Sequence, residues 1–187
     1  MNRLSLALLH YPVVDKHDEI YTTAITNIDV HDIARSAKTY GLAQYYLVSP
    51  ITAQQELGKT IASFWIDGAG MSRNPDRSQA MELVSVQADL DGCIANEHAL
   101  THSEPVLIAT SAKSSKKTTI TYDDARGIIE DNLSTILLFG TGHGLAPSVI
   151  EKSHYLLEPI YGVAGYNHLS VRSAAAVILD RLTVDRA

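Results

Sequence analysis

ILLFGTGHGL, residues 136–145, organises everything around it. Ile136, Leu137, Leu138 and Phe139 run without a polar break, and Gly140, Gly142 and Gly144 follow at alternate positions. A short apolar run bounded by turn residues reads as a strand buried on both faces. Glycines at that density read as a loop at the strand's tip, where a backbone without Cβ atoms lets another group approach closely. In an open α/β sheet, ligands sit beyond the carboxyl ends of strands, so this loop is the first candidate for a site.

Strands and helices alternate on either side of it. LSLALLHYPV (4–13), QYYLVSP (44–50) and PVLIATSA (105–112) are strand-like, and the β-branched YTTAITNI (21–28) reads as another strand. DVHDIARSAKTYG (29–41) reads as a helix, with Asp29 as N-cap and Gly41 as its stop. TAQQELGKTIASFWI (52–66), with Thr52 as a cap, PDRSQAMELVSVQADL (75–90), DGCIANEHALTH (91–102) and TYDDARGIIEDN (121–132) also read as helices. DGAGMSRNPDRS (67–78) is rich in turn residues. After the glycine loop, HYLLEPIYG (154–162) is a last strand and HLSVRSAAAVILDRL (168–182) an apolar helix, buried on the sheet or on a partner. This alternation implies an α/β fold with a largely parallel sheet and helices on both faces, formed by residues 1–187 as a single domain. No internal repeat, low-complexity tract or dividing linker interrupts it.

Composition narrows the function classes. A chain of 187 residues, 45% hydrophobic, is long enough for one real core. A net charge of −6 excludes a surface that binds nucleic acid all over, and confines any such contact to a local patch. Cys93 is the only cysteine, so no internal disulfide forms and a reducing, cytoplasmic setting is expected. The N-terminal run Leu4 to Leu9 lacks the length and cleavage site of a signal peptide, and no window approaches a membrane span.

The glycine loop fits three readings. A dinucleotide fingerprint wants G-x-G-x-x-G, a full crossover helix and an acid about twenty residues on. Here the spacing is G-x-G-x-G, only LAPSVIEKSH (145–154) precedes the next strand, and Glu158 is followed by Pro159. A nicotinamide enzyme is therefore the weaker alternative, and a phosphate loop lacks its Gly-Lys-Ser/Thr ending. The second reading is a plain turn. The third adds EPIYGVAGYNHLSVRSAAAVILDRL (158–182), which repeats the theme of apolar strand, glycine loop and helix. Two such loops would clasp one ligand from two sides. Their main-chain groups match the donor and acceptor edge of an adenine, with Phe139, Ile160 and Leu169 against the ring.

Three segments together resemble the SPOUT, or α/β-knot, superfamily of methyltransferases, in a stand-alone bacterial branch that acts on RNA. TNIDVHDIARSAKTYGL (26–42) is similar to its first motif, with Arg35-Ser36-Ala37 on the arginine position. LLFGTGHGL (137–145) resembles the second and PIYGVAGYNHLSVRSAAAVIL (159–179) the third. The resemblance implies S-adenosylmethionine (AdoMet) as cofactor, a deep C-terminal trefoil knot, a homodimer, and tRNA or rRNA as substrate. It implies cofactor contacts from Leu138, Phe139, Gly140, Thr141, Gly142, His143 and Gly144 in one loop. Ile160, Gly162, Tyr166, Asn167, Leu169 and Ser173 would supply them from the other. The chain departs from the SpoU-like pattern at Ser170, where Asn is usual, and at His143, where an acid is usual. Asp29 and His31 stand where Asn and Gly are common. Those departures leave a ribose 2′-OH and a base nitrogen both open as methyl acceptors. They also keep a non-catalytic knot-fold dimer that binds AdoMet or RNA as an alternative.

Methyl transfer from a sulfonium needs alignment of three atoms and removal of the acceptor's proton. Arg35 is the first candidate on the substrate side, because a guanidinium holds a phosphate bidentately. His168 and Ser170 are candidates for direct chemistry, although Ser170 also suits a helix cap. His10, closing the first strand, is a further histidine at a carboxyl end. His98 and His102 share a helix face, but without a third ligand they imply no metal. SAKSSKK (111–117), Arg73 and Arg77 are basic residues in loops and would meet RNA phosphates. Tyr40, Tyr45 and Tyr46 read as core or dimer packing.

Overall fold

The computed structural model describes residues 3–112, 117–163 and 166–184. Its centre is two apolar strands lying side by side. β1 (Arg3–Leu9) pairs in parallel with β8 (Ser134–Gly140), so that Leu6 faces Leu137 and Leu9 faces Gly140. Both are buried almost throughout because helices cover both faces, and period-2 alternation sorts their side chains. Leu4, Leu6, Leu8, Leu137 and Phe139 join one apolar cluster, and Ala7, Leu9, Ile136 and Leu138 join the other.

The sheet grows outward from this pair. β4 (Gln44–Val48) and then β5 (Val84–Gln87) lie beyond β1. Beyond β8 come β6 (Val106–Ala109), β9 (Tyr155–Leu157) and β7 (Thr119–Ile120). All seven strands are parallel. A separate antiparallel hairpin, β2 (Val13–Val14) with β3 (Ile20–Tyr21), stands at the carboxyl end of β1.

Helices fill both faces. α1 (Asn27–Thr39), α4 (Pro75–Met81), α6 (Tyr122–Asp131) and α8 (Val171–Thr183) cover the first cluster, with α2 (Thr52–Ile66) at its margin. α5 (Leu90–Thr101) and the short α7 (Pro147–Lys152) cover the second. α3 (Gly70–Arg73) is a single turn leading into α4. α8 buries Ala175, Ile178, Leu179 and Leu182 against its own sheet, which accounts for its apolar sequence. Tyr45 and Tyr46 are core residues, one in each cluster.

Four sequence expectations change. The strand expected over 21–28 pairs only through Tyr21, because Thr26 turns away to cap α1, its hydroxyl accepting from the Asp29 N–H. Asp29 therefore sits in the first turn, where a carboxylate favours the helix dipole, and is not the cap. The helix expected over 75–90 stops at Met81. Val84 and Val86 are β-branched and extend as β5 beside β4. Thr52 opens α2, whose N-cap is Ile51 without a side-chain bond.

Candidate active site

The glycine loop is shaped by what lies under it. The Thr141 N–H donates to the Leu9 carbonyl, the His143 N–H to Val14, and the Val14 N–H to the Gly144 carbonyl. The hairpin β2–β3 is thus the floor that turns the loop back over the end of β1. Gly142 has φ +62°, and a Cβ there would strike the Tyr21 hydroxyl and the Val14 carbonyl. A side chain at 142 would therefore break the loop off its floor before it reached any ligand. A Cβ at Gly140 would sit 2.5 Å from the Leu145 amide, so the loop closes on itself only with glycine there.

Above this loop lies a cleft of about 580 Å³, a volume suited to a small-molecule cofactor. The ends of β8 and β6, the segment after β9 and the first turns of α8 surround it. Of the residues singled out from sequence, Phe139 through Gly144, Ile160, Asn167, His168, Leu169 and Ser170 come together on its wall. Asn167 donates from Nδ2 to the Ala112 carbonyl at 3.2 Å, tying the second loop to the end of β6.

Other candidates lie elsewhere. Leu138 points to the opposite face, because alternation sends its side chain into the α5–α7 cluster. Its carbonyl nevertheless accepts from both the N–H and the hydroxyl of Thr110, which lines the cleft. Gly162, Tyr166 and Ser173 are exposed and off the cleft wall, with the Tyr166 ring edge-on to His168 at 5.4 Å. The Ser170 hydroxyl accepts from the Ser173 N–H and lies 3.0 Å from the Ser173 hydroxyl, so it is occupied as the cap of α8. Arg35 is exposed on α1 and lines a different depression. In the basic loop 111–117, Lys113 to Lys116 lie outside the described residues.

Sequence reading missed the ion pair that closes the cleft. Arg172 Nη1 donates to Asp29 Oδ1 at 2.6 Å, and its Nε lies 3.6 Å from Asp32 Oδ2. Arg172 and Asp29 both line the cleft, so the pair fastens the start of α8 to the start of α1 across it. A signal existed. A cation in the first turn of a helix opposes the helix dipole, so Arg172 needed a carboxylate from elsewhere. Glu158 also lines the cleft, and its Oε1 accepts from the Tyr122 N–H.

His10 is wholly buried at the end of β1. Its Nδ1 lies 2.9 Å from the Thr23 hydroxyl, which lies 2.5 Å from the hydroxyl of Thr141 in the loop. Burial lowers its pKa from the usual 6.5 to about 4, against an opposing pull from Asp29. Folded His10 is therefore neutral where the unfolded chain's imidazole already binds a proton. Stability is expected to fall as pH drops from about 6.5 towards 4, by up to roughly 3 kcal/mol. Urea unfolding at stepped pH checks this, and His10→Gln should flatten that part of the curve.

No group of three or more His, Cys, Asp or Glu among the described residues is arranged to hold a metal. His98 lies 3.9 Å from Glu104 on a solvated surface. No helix among the described residues is long and apolar enough to cross a membrane.

A cleft at the carboxyl ends of a parallel sheet, with apolar and carboxylate sides, stands where α/β folds bind their small-molecule ligands. Comparison with known proteins names the family. A family model described as SAM-dependent RNA methyltransferase matches residues 3–184, and the chain belongs to that family. It is 42% identical over 182 residues to a tRNA (guanine-N(1)-)-methyltransferase of Oleidesulfovibrio alaskensis, a match covering 97% of this chain and 42% of that protein. The chain thus spans about two fifths of the length of the curated tRNA methyltransferases it matches. Among solved structures, a probable methyltransferase from Bordetella pertussis Tohama I superposes with a TM-score of 0.65 at 17% identity, covering 97% of this chain and 95% of that one. The SpoU methyltransferase AviRb from Streptomyces viridochromogenes, in complex with AdoMet, gives 0.54 at 16% identity, covering 97% and 57%. The α/β fold with a parallel seven-stranded sheet is shared with these solved methyltransferases.

Proposed function

We propose that this chain transfers a methyl group from AdoMet to tRNA, and that AdoMet occupies the cleft between the two loops. The observation that carries the reading is the convergence of the 140–144 loop, residues 158–160 and 167–170, and the Asp29–Arg172 pair on one cavity. The residues fit the cofactor. Phe139, Ile160 and Leu169 offer apolar faces to a purine, and Asp29 and Glu158 offer carboxylates to its cationic groups. When bound, AdoMet supplies a methyl group on a cationic sulfur, already activated for displacement. The chain's task is then orientation and handling of the acceptor's proton. Asp29, held by Arg172 and by the Thr26 hydroxyl at 2.5 Å, is fixed in place. His168, exposed and lining the cleft, would take a proton from an acceptor entering there.

The tRNA substrate is supported by the longer relatives, which are tRNA (guanine-N(1)-)-methyltransferases. A trefoil knot is supported by strand order. β9 is inserted between β6 and β7, laid down earlier, and the chain passes from α7 on one face to α8 on the other at that place. A cytoplasmic homodimer is supported by the lone buried cysteine and by exposed Tyr161, Val163, Tyr166 and Leu169 between β9 and α8. Incubation with tritiated-methyl AdoMet and bulk RNA from a strain lacking the protein tests the activity. Labelled tRNA is the expected result, and nucleoside mass spectrometry then names the atom. Tight AdoMet binding with no label transferred would overturn it in favour of a binding protein.

A further inference from the structure

A second depression, of about 390 Å³, lies between α1 and α4, on a different wall of the molecule from the cofactor cleft. Arg35 and Lys38 enter it from α1 and Arg77 from α4, with Asp76 the one acid on its wall. None of the three cations makes an ion pair among the described residues, in a chain whose net charge is −6. Three cations against one carboxylate leave an excess of positive charge there, and an anion relieves it.

Arg77 is more than a solvated side chain. Its guanidinium carbon lies 4.7 Å above the centre of the Trp65 ring, and its Nε is buried with no hydrogen-bond partner among the described residues. Stacking holds the guanidinium plane and leaves its N–H edge for a ligand. The platform is built into the backbone. A Cβ at Gly70 would lie 2.6 Å from the Trp65 ring, so only glycine lets α3 pass beneath it. The Asn74 side chain, which accepts from the Arg77 N–H, sets the start of α4.

We propose that this notch binds a backbone phosphate of the RNA, held by Arg77, Lys38 and Arg35, apart from the nucleotide being methylated. The inference rests on the RNA methyltransferase reading and deepens it by assigning a docking site. A phosphate contact positions the substrate without reading its sequence.

The test measures binding of a labelled tRNA transcript by anisotropy across a salt series, with AdoMet affinity measured alongside. For Arg77→Gln and, separately, for Lys38→Gln, tRNA affinity should fall about 5- to 10-fold near 0.15 M salt. The slope of log affinity against log salt should lose roughly 0.7–0.9 per lost contact. AdoMet affinity should not move. Lys38 is exposed, so its variant keeps the test valid if Arg77→Gln disturbs folding. Unchanged affinity and slope in Lys38→Gln, with wild-type protein binding tRNA, would overturn the notch alone. Wild-type protein that binds no RNA would overturn the function and the notch together. Saturable binding of inorganic phosphate that Arg77→Gln abolishes, without any effect on tRNA, would reassign the notch to a free anion and overturn the proposal.

Discussion

Replacing Glu97 with alanine is expected to lower the unfolding free energy by about 3–5 kcal/mol, because the carboxylate is the hub of a buried polar cluster. Glu97 is fully buried on α5, beneath the three central strands. The Ser5 hydroxyl donates to Oε1 at 2.6 Å and the Tyr46 hydroxyl at 2.9 Å. The Ser134 hydroxyl donates to Oε2 at 2.9 Å and Arg3 Nε at 3.2 Å. One side chain therefore ties β1, β4 and β8 together at the end of the sheet away from the cleft. Removing it strands the Ser5 and Ser134 hydroxyls, while Tyr46 keeps Asn96 Oδ1 at 3.1 Å, and each lost bond costs on the order of 1–3 kcal/mol. Arg3 is partly exposed and recovers some solvation, which keeps the total from being larger. Burial opposes ionisation of Glu97, but the bonds from Ser5, Arg3, Tyr46 and Ser134 outweigh it and hold the pKa below the usual value. The stabilisation is therefore present at neutral pH and lost as pH falls below the ordinary carboxylate range. Urea unfolding of Glu97→Ala at pH 7 checks the magnitude, and a loss under 1 kcal/mol would show that the cluster relaxes around the gap.

Ala174→Trp is expected to weaken AdoMet binding at least roughly a hundred-fold, about 2.7 kcal/mol, while the protein stays folded. Ala174 lies in the first turns of α8 and lines the cleft. A tryptophan fits a helix interior without backbone strain and projects into space that the cofactor needs. This position separates binding from folding, which Gly142 does not. In Gly142→Val the added Cβ meets the β2–β3 hairpin, and the positive φ strains any branched residue, so lost binding there would not be separable from a disturbed loop. Calorimetry with AdoMet and far-UV circular dichroism together decide the matter. Native affinity in a folded Ala174→Trp protein would move the cofactor out of this cleft.

The sequence by itself determined the strand-and-helix alternation, the central buried strand at 134–140, the two loops that meet at the cleft, and the family. Each of these is a local pattern. A buried strand must be apolar on both faces, a loop that turns back on itself must carry glycine, and both leave marks on consecutive residues. Tertiary structure alone decided which polar groups meet. Arg172 finds Asp29 across 143 positions, Glu97 gathers partners from three strands, and Arg77 joins Arg35 and Lys38 in one notch. It also turned Leu138 away from the cleft and set Arg35 apart from it. The physical reason is range. Hydrophobic periodicity and turn chemistry act between neighbours in the chain, whereas a charge or hydroxyl is satisfied by whatever partner the packed sheet brings within hydrogen-bonding distance.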